Sequence, residues 1–453
     1  MKKSLRFSIQ TINLSIYLTL LIPSILFFLY WITPIISIPL SLSCVYIIYT
    51  YYKNNTSNTE FLEISISHLL IMALLLFYTL YACGIGQFSM AKDDVLLRSN
   101  MIFSHLIYHD WPIFIDIEKT DFTFLSYYLA YFIPISLITK TNPSINIYYI
   151  EFIWAFSTLY LGLLYFYNYC SKGILFLIIF LPNGVYWIID KYLFKDPVPL
   201  KYFSSLMTLA HGPQQLISTI LGLCILLSEL SKKGKSAIII NIIALVFFWS
   251  PFIAIALTLI VIPHLRQIKL ICVENIISLG ILFIFILFYA EKETHFFAHI
   301  KSIHEINYPY FLFYFFDLIL ITIIVNKYSE KFNSQYHIYI LIILMILPFI
   351  HFGKHNDFMT KVSTPLIFVH YLILVKQIKL QHFIYNLGIF LLFGLYSISS
   401  LYQLINPILN RPSNLDYIKY YQNKNMMDIY KDQDIHAQFY SNKNSMFSKY
   451  LLK

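Results

Sequence analysis

A chain of 453 residues that is 58% hydrophobic and only 12% charged, with a mean hydropathy of +0.67, is not a soluble globular domain. The formal charge of +9 does not point to nucleic acid: in a chain this apolar, Lys and Arg mark the loops on the cytoplasmic side. The five cysteines sit in or beside apolar runs with no close pair, which excludes a Cys-based metal or redox motif.

In chain order, Leu14–Trp31 and Ile32–Tyr52 predict a helical hairpin, with Lys2, Lys3 and Arg6 at one end and Lys53 at the other, so both ends face inward. No small-residue cleavage site follows the first apolar run, so it reads as a retained helix rather than a signal peptide. Phe61–Cys83 crosses outward and places Gly84–Asp121 outside, where carboxylates outnumber cations. Phe122–Thr139 is short and carries Tyr127, Tyr128 and Pro134. If it spanned, Ser231–Lys235 would fall outside against the positive-inside rule, so it is expected to lie at the outer surface. Ile145–Tyr169, Ile174–Ile189 and Met207–Leu230 then cross in turn. Ala237–Pro263 is interrupted at Trp249-Ser250-Pro251 and flanked by Lys235 and Arg266, predicting a hairpin of two short helices with both ends inside. Ile271–Tyr289, Tyr310–Val325, Ile338–Ile350, Val362–Val375 and Phe383–Ile405 complete the crossings, and the polar residues after Asn406 form a loose or slightly helical exterior appendage. The fold class expected is all-α: a polytopic bundle of about 11–13 transmembrane helices. Its divisions are an N-terminal hairpin (1–60), a core (61–405) with the exterior loop 84–121, and a polar tail (406–453).

Polar chemistry is costly in lipid, so its clusters locate function. Three fall on the outer side. Asp93 and Asp94 can hold a divalent cation or supply a general base, and Arg98, four residues after Asp94, shares its helical face and can neutralise a phosphate; a capping Asp on a solvated loop is the ordinary alternative. His211-Gly-Pro-Gln214-Gln215 opens an apolar helix whose first amides suit an anion, and the two Gln side chains can bond a sugar or phosphate; a simple helix start is the alternative. Asn356, Asp357 and Lys361 stand at a third boundary, where caps and snorkelling anchors also occur. His105, His109, His295, His299 and His304 lack metal-ligand spacing. No nucleotide-binding loop or nucleophile elbow is present in the sequence.

The exterior loop with Asp, Arg and Trp111-Pro112, followed by Leu125-Ser-Tyr-Tyr128 and Pro134, resembles the first large exterior loop of GT-C-type integral membrane glycosyltransferases. The Pro213-Gln214 helix start and the Asn356-Asp357, Lys361, Ser363 and Pro365 stretch are similar to motifs of a group of uncharacterised bacterial GT-C-like proteins. The resemblance covers Phe61–Val375 and departs from the pattern at Lys361, where an Arg is expected; Lys keeps the charge but not bidentate phosphate recognition. It implies exterior juxtamembrane helices and a place in the bacterial cytoplasmic (inner) membrane. It further implies transfer of a sugar from a polyprenyl-phosphate or polyprenyl-diphosphate carrier to a cell-surface glycan or lipid acceptor. In that chemistry Asp93 or Asp94 acts as base or as ligand of a divalent cation (magnesium or manganese), Arg98 and Lys361 act on the phosphate, and Asp357 orients a sugar or a cation. An O-antigen or capsule repeat-unit polymerase and a lipid-linked oligosaccharide flippase or transporter are the competing readings. The first calls for Arg-rich exterior loops and the second for internal repeats, and the sequence has neither.

Overall fold

The computed structural model describes residues 4–55, 60–88, 93–114, 122–171, 173–180, 205–232, 234–269, 271–290, 299–301, 314, 318–319, 322–323, 334–352, 357–377, 440–442 and 445–453, and it leaves the side chains of 93–98, 122, 123, 174, 175, 178, 179, 207, 299, 334, 357, 377 and 442 undescribed. Fourteen helices are formed by these residues: α1 Ile9–Trp31, α2 Pro34–Asn55, α3 Ile66–Ala82, α4 Asp93–Tyr108, α5 Phe132–Thr141, α6 Ile147–Cys170, α7 Ser205–His211, α8 Pro213–Leu230, α9 Ile239–Trp249, α10 Pro251–Val261, α11 Val273–Ala290, α12 Ser334–Ile346, α13 Asp357–Gln377 and α14 Met446–Tyr450. Six of them, α1, α2, α6, α8, α11 and α13, are long and apolar enough to cross a membrane. The expected span Phe383–Ile405, most of Tyr310–Val325 and much of Ile174–Ile189 lie outside the described residues.

The chain is not purely helical at its margins. Ser4–Ser8 (β1) pairs antiparallel with Phe61–Ser65 (β2), so the third helix begins five residues later than the apolar run alone predicts. Alternation explains the ribbon: Leu62 and Ile64 are buried, while Arg6 and Glu63 face each other across the pair at 2.5 Å. Each strand ends in a serine that caps the next helix, Ser8 accepting from the Thr11 amide and Ser65 from that of His68. Two smaller ribbons join Phe122–Leu125 (β3) to Tyr440–Asn442 (β6) and His299–Ile300 (β4) to Ile350–His351 (β5).

Contacts fix the direction of the helices. Asn13, near the start of α1, donates to Ser228 at the end of α8, and Lys232 pairs with buried Glu229 while lying over the ring of Tyr51, near the end of α2. Lys376, at the end of α13, lies 3.8 Å above the ring of Tyr169. Tyr169 is at the same end as Arg6, because His68, just after β2, bonds Tyr167 at 2.8 Å. All these cations therefore gather at one end of the bundle, the basic end. Phe77–Phe152 contact at the other extreme of α3 and α6 confirms that these two helices are antiparallel.

The sequence expectation of a two-helix hairpin at Trp249-Ser250-Pro251 is met. The backbone amide of Ser236, before α9, donates to Gln267, after α10, and that of Lys269 returns the bond to Ser236, so both arms start and finish at the basic end with Ser250 at the tip. Each arm has 11 residues, or about 17 Å, too short to cross about 30 Å of hydrocarbon alone. Pro251 removes the helical donor of the Phe247 carbonyl, and at the next residue, where the helix breaks, the Tyr289 hydroxyl donates to the Phe248 carbonyl at 2.8 Å.

The segment after the first exterior loop, expected to be a surface helix over Phe122–Thr139, is helical only from Phe132; Phe122–Leu125 is instead β3, held by its pairing with β6. Both ends of α5 lie at the far end of the bundle: Tyr131 bonds Glu151 in the first turns of α6, and Lys140 bonds the carbonyl of His109, beside Trp111, whose ring packs at a tilt against Trp31 at the end of α1. A helix of 10 residues, about 15 Å long, with both ends on one side does not cross. The chain end departs from expectation: residues 440–442 and 445–453 are packed rather than loose. Phe447 is fully buried among Phe27, Phe124 and Phe288, and the Lys453 amide bonds the Trp31 carbonyl at 2.8 Å. Buried aromatics have enough apolar surface to hold a chain end that polar residues alone would leave free.

Candidate functional site at the far end of the bundle

Asp93 and Asp94 occupy the first turn of α4, and Arg98 stands one turn on, so the i, i+4 relation of Asp94 and Arg98 holds on a formed helix. Their side chains lie outside the described part, as does the whole of Asn356. Further along α4, residues 100–106 are buried on every side of the helix. Asn100, Ser104 and His105 are among them. Gln87 donates to Asn100, tying the turn before α4 to the helix body.

His211 and Gly212 end one helix and Pro213 begins the next, as the motif predicts: the Gly212 amide closes α7 on Thr208, and Pro213 occupies the first position of α8. Gln214 and Gln215 are buried, and Gln214 Oε1 has no hydrogen-bond partner. His211 is half-buried.

Asp357 is the first residue of α13 and Lys361 lies one turn inside it. Lys361 Nζ stands 5.6 Å from the ring centre of Tyr128 and 5.2 Å from that of Phe252. Three separately noticed segments thus meet at one ammonium: the aromatic stretch after the exterior loop, the Pro251 break and the late boundary. Thr364 reaches the second cluster, its hydroxyl 3.3 Å from that of Thr208 on α7. From Tyr128 a run of ring contacts leads back to α4 through Tyr127 and Phe132 to Phe103. Asp93 heads that helix ten residues earlier, about 15 Å along its axis. The direction argument places the starts of α6, α8, α10 and α13 at the same, far end.

Sequence reasoning missed Glu151. It is buried in the first turns of α6, where its two carboxylate oxygens accept from the Gly86 amide and the Tyr131 hydroxyl, both at 3.2 Å. The lone carboxylate in a 24-residue apolar helix was the available signal. Gly86 is held at φ +72°, and a Cβ there would come within 2.7 Å of the Tyr148 carbonyl, so glycine is required.

His105 packs 5.3 Å from the ring of His109. Burial first, and the neighbouring imidazole second, push its pKa down to about 4. The sign follows: an imidazole kept neutral in the fold contributes stability above its unfolded pKa near 6.5 and loses it as pH falls towards 4. A shift of this size corresponds to about 3 kcal/mol. His105→Phe is expected to flatten the acid limb of a thermal-unfolding profile between pH 6.5 and 4; an unchanged limb would contradict the assignment. Among the described residues no three His, Cys, Asp or Glu side chains cluster to hold a metal, so the cation expected at Asp93 and Asp94 falls on side chains outside the described part.

Beside this site runs an apolar cavity of about 270 Å³ between α3, α6, α7 and α8, with Leu76, Leu163, Leu209 and Ile220 in its walls.

Fold and composition define a multi-pass helical membrane protein. No protein family matches the chain, and neither a curated relative nor a solved structure is detectably similar to it.

Proposed function

We propose that this protein is a GT-C-like membrane glycosyltransferase that moves a sugar from a polyprenyl-(di)phosphate carrier to a glycan or lipid acceptor on the exterior face. The observation that supports this best is the meeting of Tyr128, Phe252 and Lys361 at the end of the bundle opposite the basic loops. Positive-inside orientation makes that end exterior, where nucleotide sugars are absent and a lipid-linked donor is the available one. In the reaction, Asp93 or Asp94 takes the proton of an acceptor hydroxyl. The oxygen bonds the anomeric carbon, and the bond from that carbon to the phosphate oxygen breaks, its electron pair leaving with the polyprenyl phosphate. Lys361 and Arg98 stabilise that departing charge. Gln214 and Gln215 bond the donor headgroup, His211 lies beside them, and Asn356 and Asp357 orient the sugar. The apolar cavity bordered by α3, α6, α7 and α8 suits an isoprenoid tail.

Asp93→Asn and Asp94→Asn, each introduced in a strain deleted for the gene, test the proposal. At least one is expected to leave the cell-surface glycan without one sugar, as the deletion does. Full glycan in both variants would remove the proposal. The α9–α10 hairpin favours a second reading, because broken helices line the substrate paths of transporters. A flippase predicts lipid-linked units accumulating inside the cell rather than a glycan that lacks one sugar.

A further inference from the structure

We infer that the tip of the α9–α10 hairpin, together with Lys361, is a seat for a phosphate mono- or diester anion. Three helices, α8, α10 and α13, run side by side from the far end to the basic end. Gly222 of α8 lies so close to α10 that a Cβ would come within 2.7 Å of Leu257, and Phe252 and Phe358, in the first turns of α10 and α13, touch ring to ring. Parallel helices present their amide-rich, partially positive ends together. The mouth of α10 is the best defined. Pro251 has no N–H, the first bond within the helix is from Ala254 to the Ser250 carbonyl, and the amides of Phe252 and Ile253 have no acceptor inside the helix.

A second, independent observation points to a ligand. Ser250 is the N-cap residue, yet its hydroxyl makes no capping bond; it is fully buried and has no hydrogen-bond partner. A buried hydroxyl at a helix mouth ordinarily satisfies the amides beneath it. Left uncapped two residues before Phe252, whose ring stands 5.2 Å from the Lys361 ammonium, it supplies the polar contact an anion's oxygen needs. Pro251 and Phe252 are only half-buried, which leaves the tip open to a ligand. Naming the anion as the phosphate of a lipid-linked sugar donor rests on the proposed function; the seat itself does not.

The test uses the full-length protein in detergent and measures binding of farnesyl phosphate, farnesol and inorganic phosphate by thermal shift and titration. Wild type is expected to bind farnesyl phosphate at least 10-fold more tightly than farnesol. Ser250→Ala and Lys361→Met are each expected to remove most of that margin while leaving farnesol affinity unchanged, and Lys361→Arg to keep most of it. Competition by equimolar inorganic phosphate would support the seat and assign it to a free ion. A margin undiminished in both Ser250→Ala and Lys361→Met, or none in wild type, overturns it. The two ideas fail separately: a lost margin in Ser250→Ala with intact glycan in the Asp93 and Asp94 variants keeps the seat and rejects the transferase, and the reverse pattern does the opposite.

Discussion

Replacing Lys361 with methionine is expected to lower sugar transfer about 100-fold or more, the usual cost of removing one preorganised group from a developing negative charge. The ammonium is held over two aromatic faces, an arrangement worth about 0.5–2 kcal/mol in orientation, so its position does not depend on the donor being bound. Lys361→Arg keeps the charge but adds a planar fork the aromatic walls must accommodate, and an intermediate rate is expected. Turnover of a purified polyprenyl-phosphate sugar under saturating acceptor separates the two variants. Lys361→Met transferring at the wild-type rate would show that the charge is peripheral.

The second large effect falls on stability. Glu151→Leu leaves the Gly86 amide and the Tyr131 hydroxyl without their acceptor. An unpaired buried donor costs about 1–3 kcal/mol, so the two together cost about 2–6 kcal/mol. Glu151→Gln retains one acceptor oxygen and should fall between this and wild type. Melting temperatures in detergent measure both. Because Gly86 stands just before α4, Glu151→Leu should also loosen the start of that helix, seen as faster amide exchange near Gln87. Equal melting temperatures for wild type and Glu151→Leu would show that water replaces the carboxylate.

Much of this architecture could be read from residue types alone. The α9–α10 hairpin was legible because Pro251 cannot continue a helix and basic residues flank both arms, two independent physical constraints that agree. The surface placement of α5 was legible for a related reason, since a crossing there would have carried Lys232 and Lys235 to the wrong side. Features set by long-range pairing were not. The run Ser4–Ser8 reads as the approach to a helix, and only its partner Phe61–Ser65, more than fifty residues away, makes it a strand. Glu151 was hidden because its acceptors' partners, Gly86 and Tyr131, are separated from it in sequence by 65 and 20 residues. Ser250 was noticed for its proline neighbour, whereas its idle hydroxyl is a property of the folded tip. The acidic pair was legible as a helix start, which α4 bears out for the backbone.

Phe447 closes against Phe27, Phe124 and Phe288, the first of them made more than four hundred residues earlier in synthesis. Contacts of such sequence separation form late, so the first helix enters the bilayer with that aromatic hollow unfilled. The wedge drops in only after Phe447 itself has been made, and closure of the far end of the bundle is therefore a post-insertion event, a step at which assembly factors or quality-control proteases have time to act.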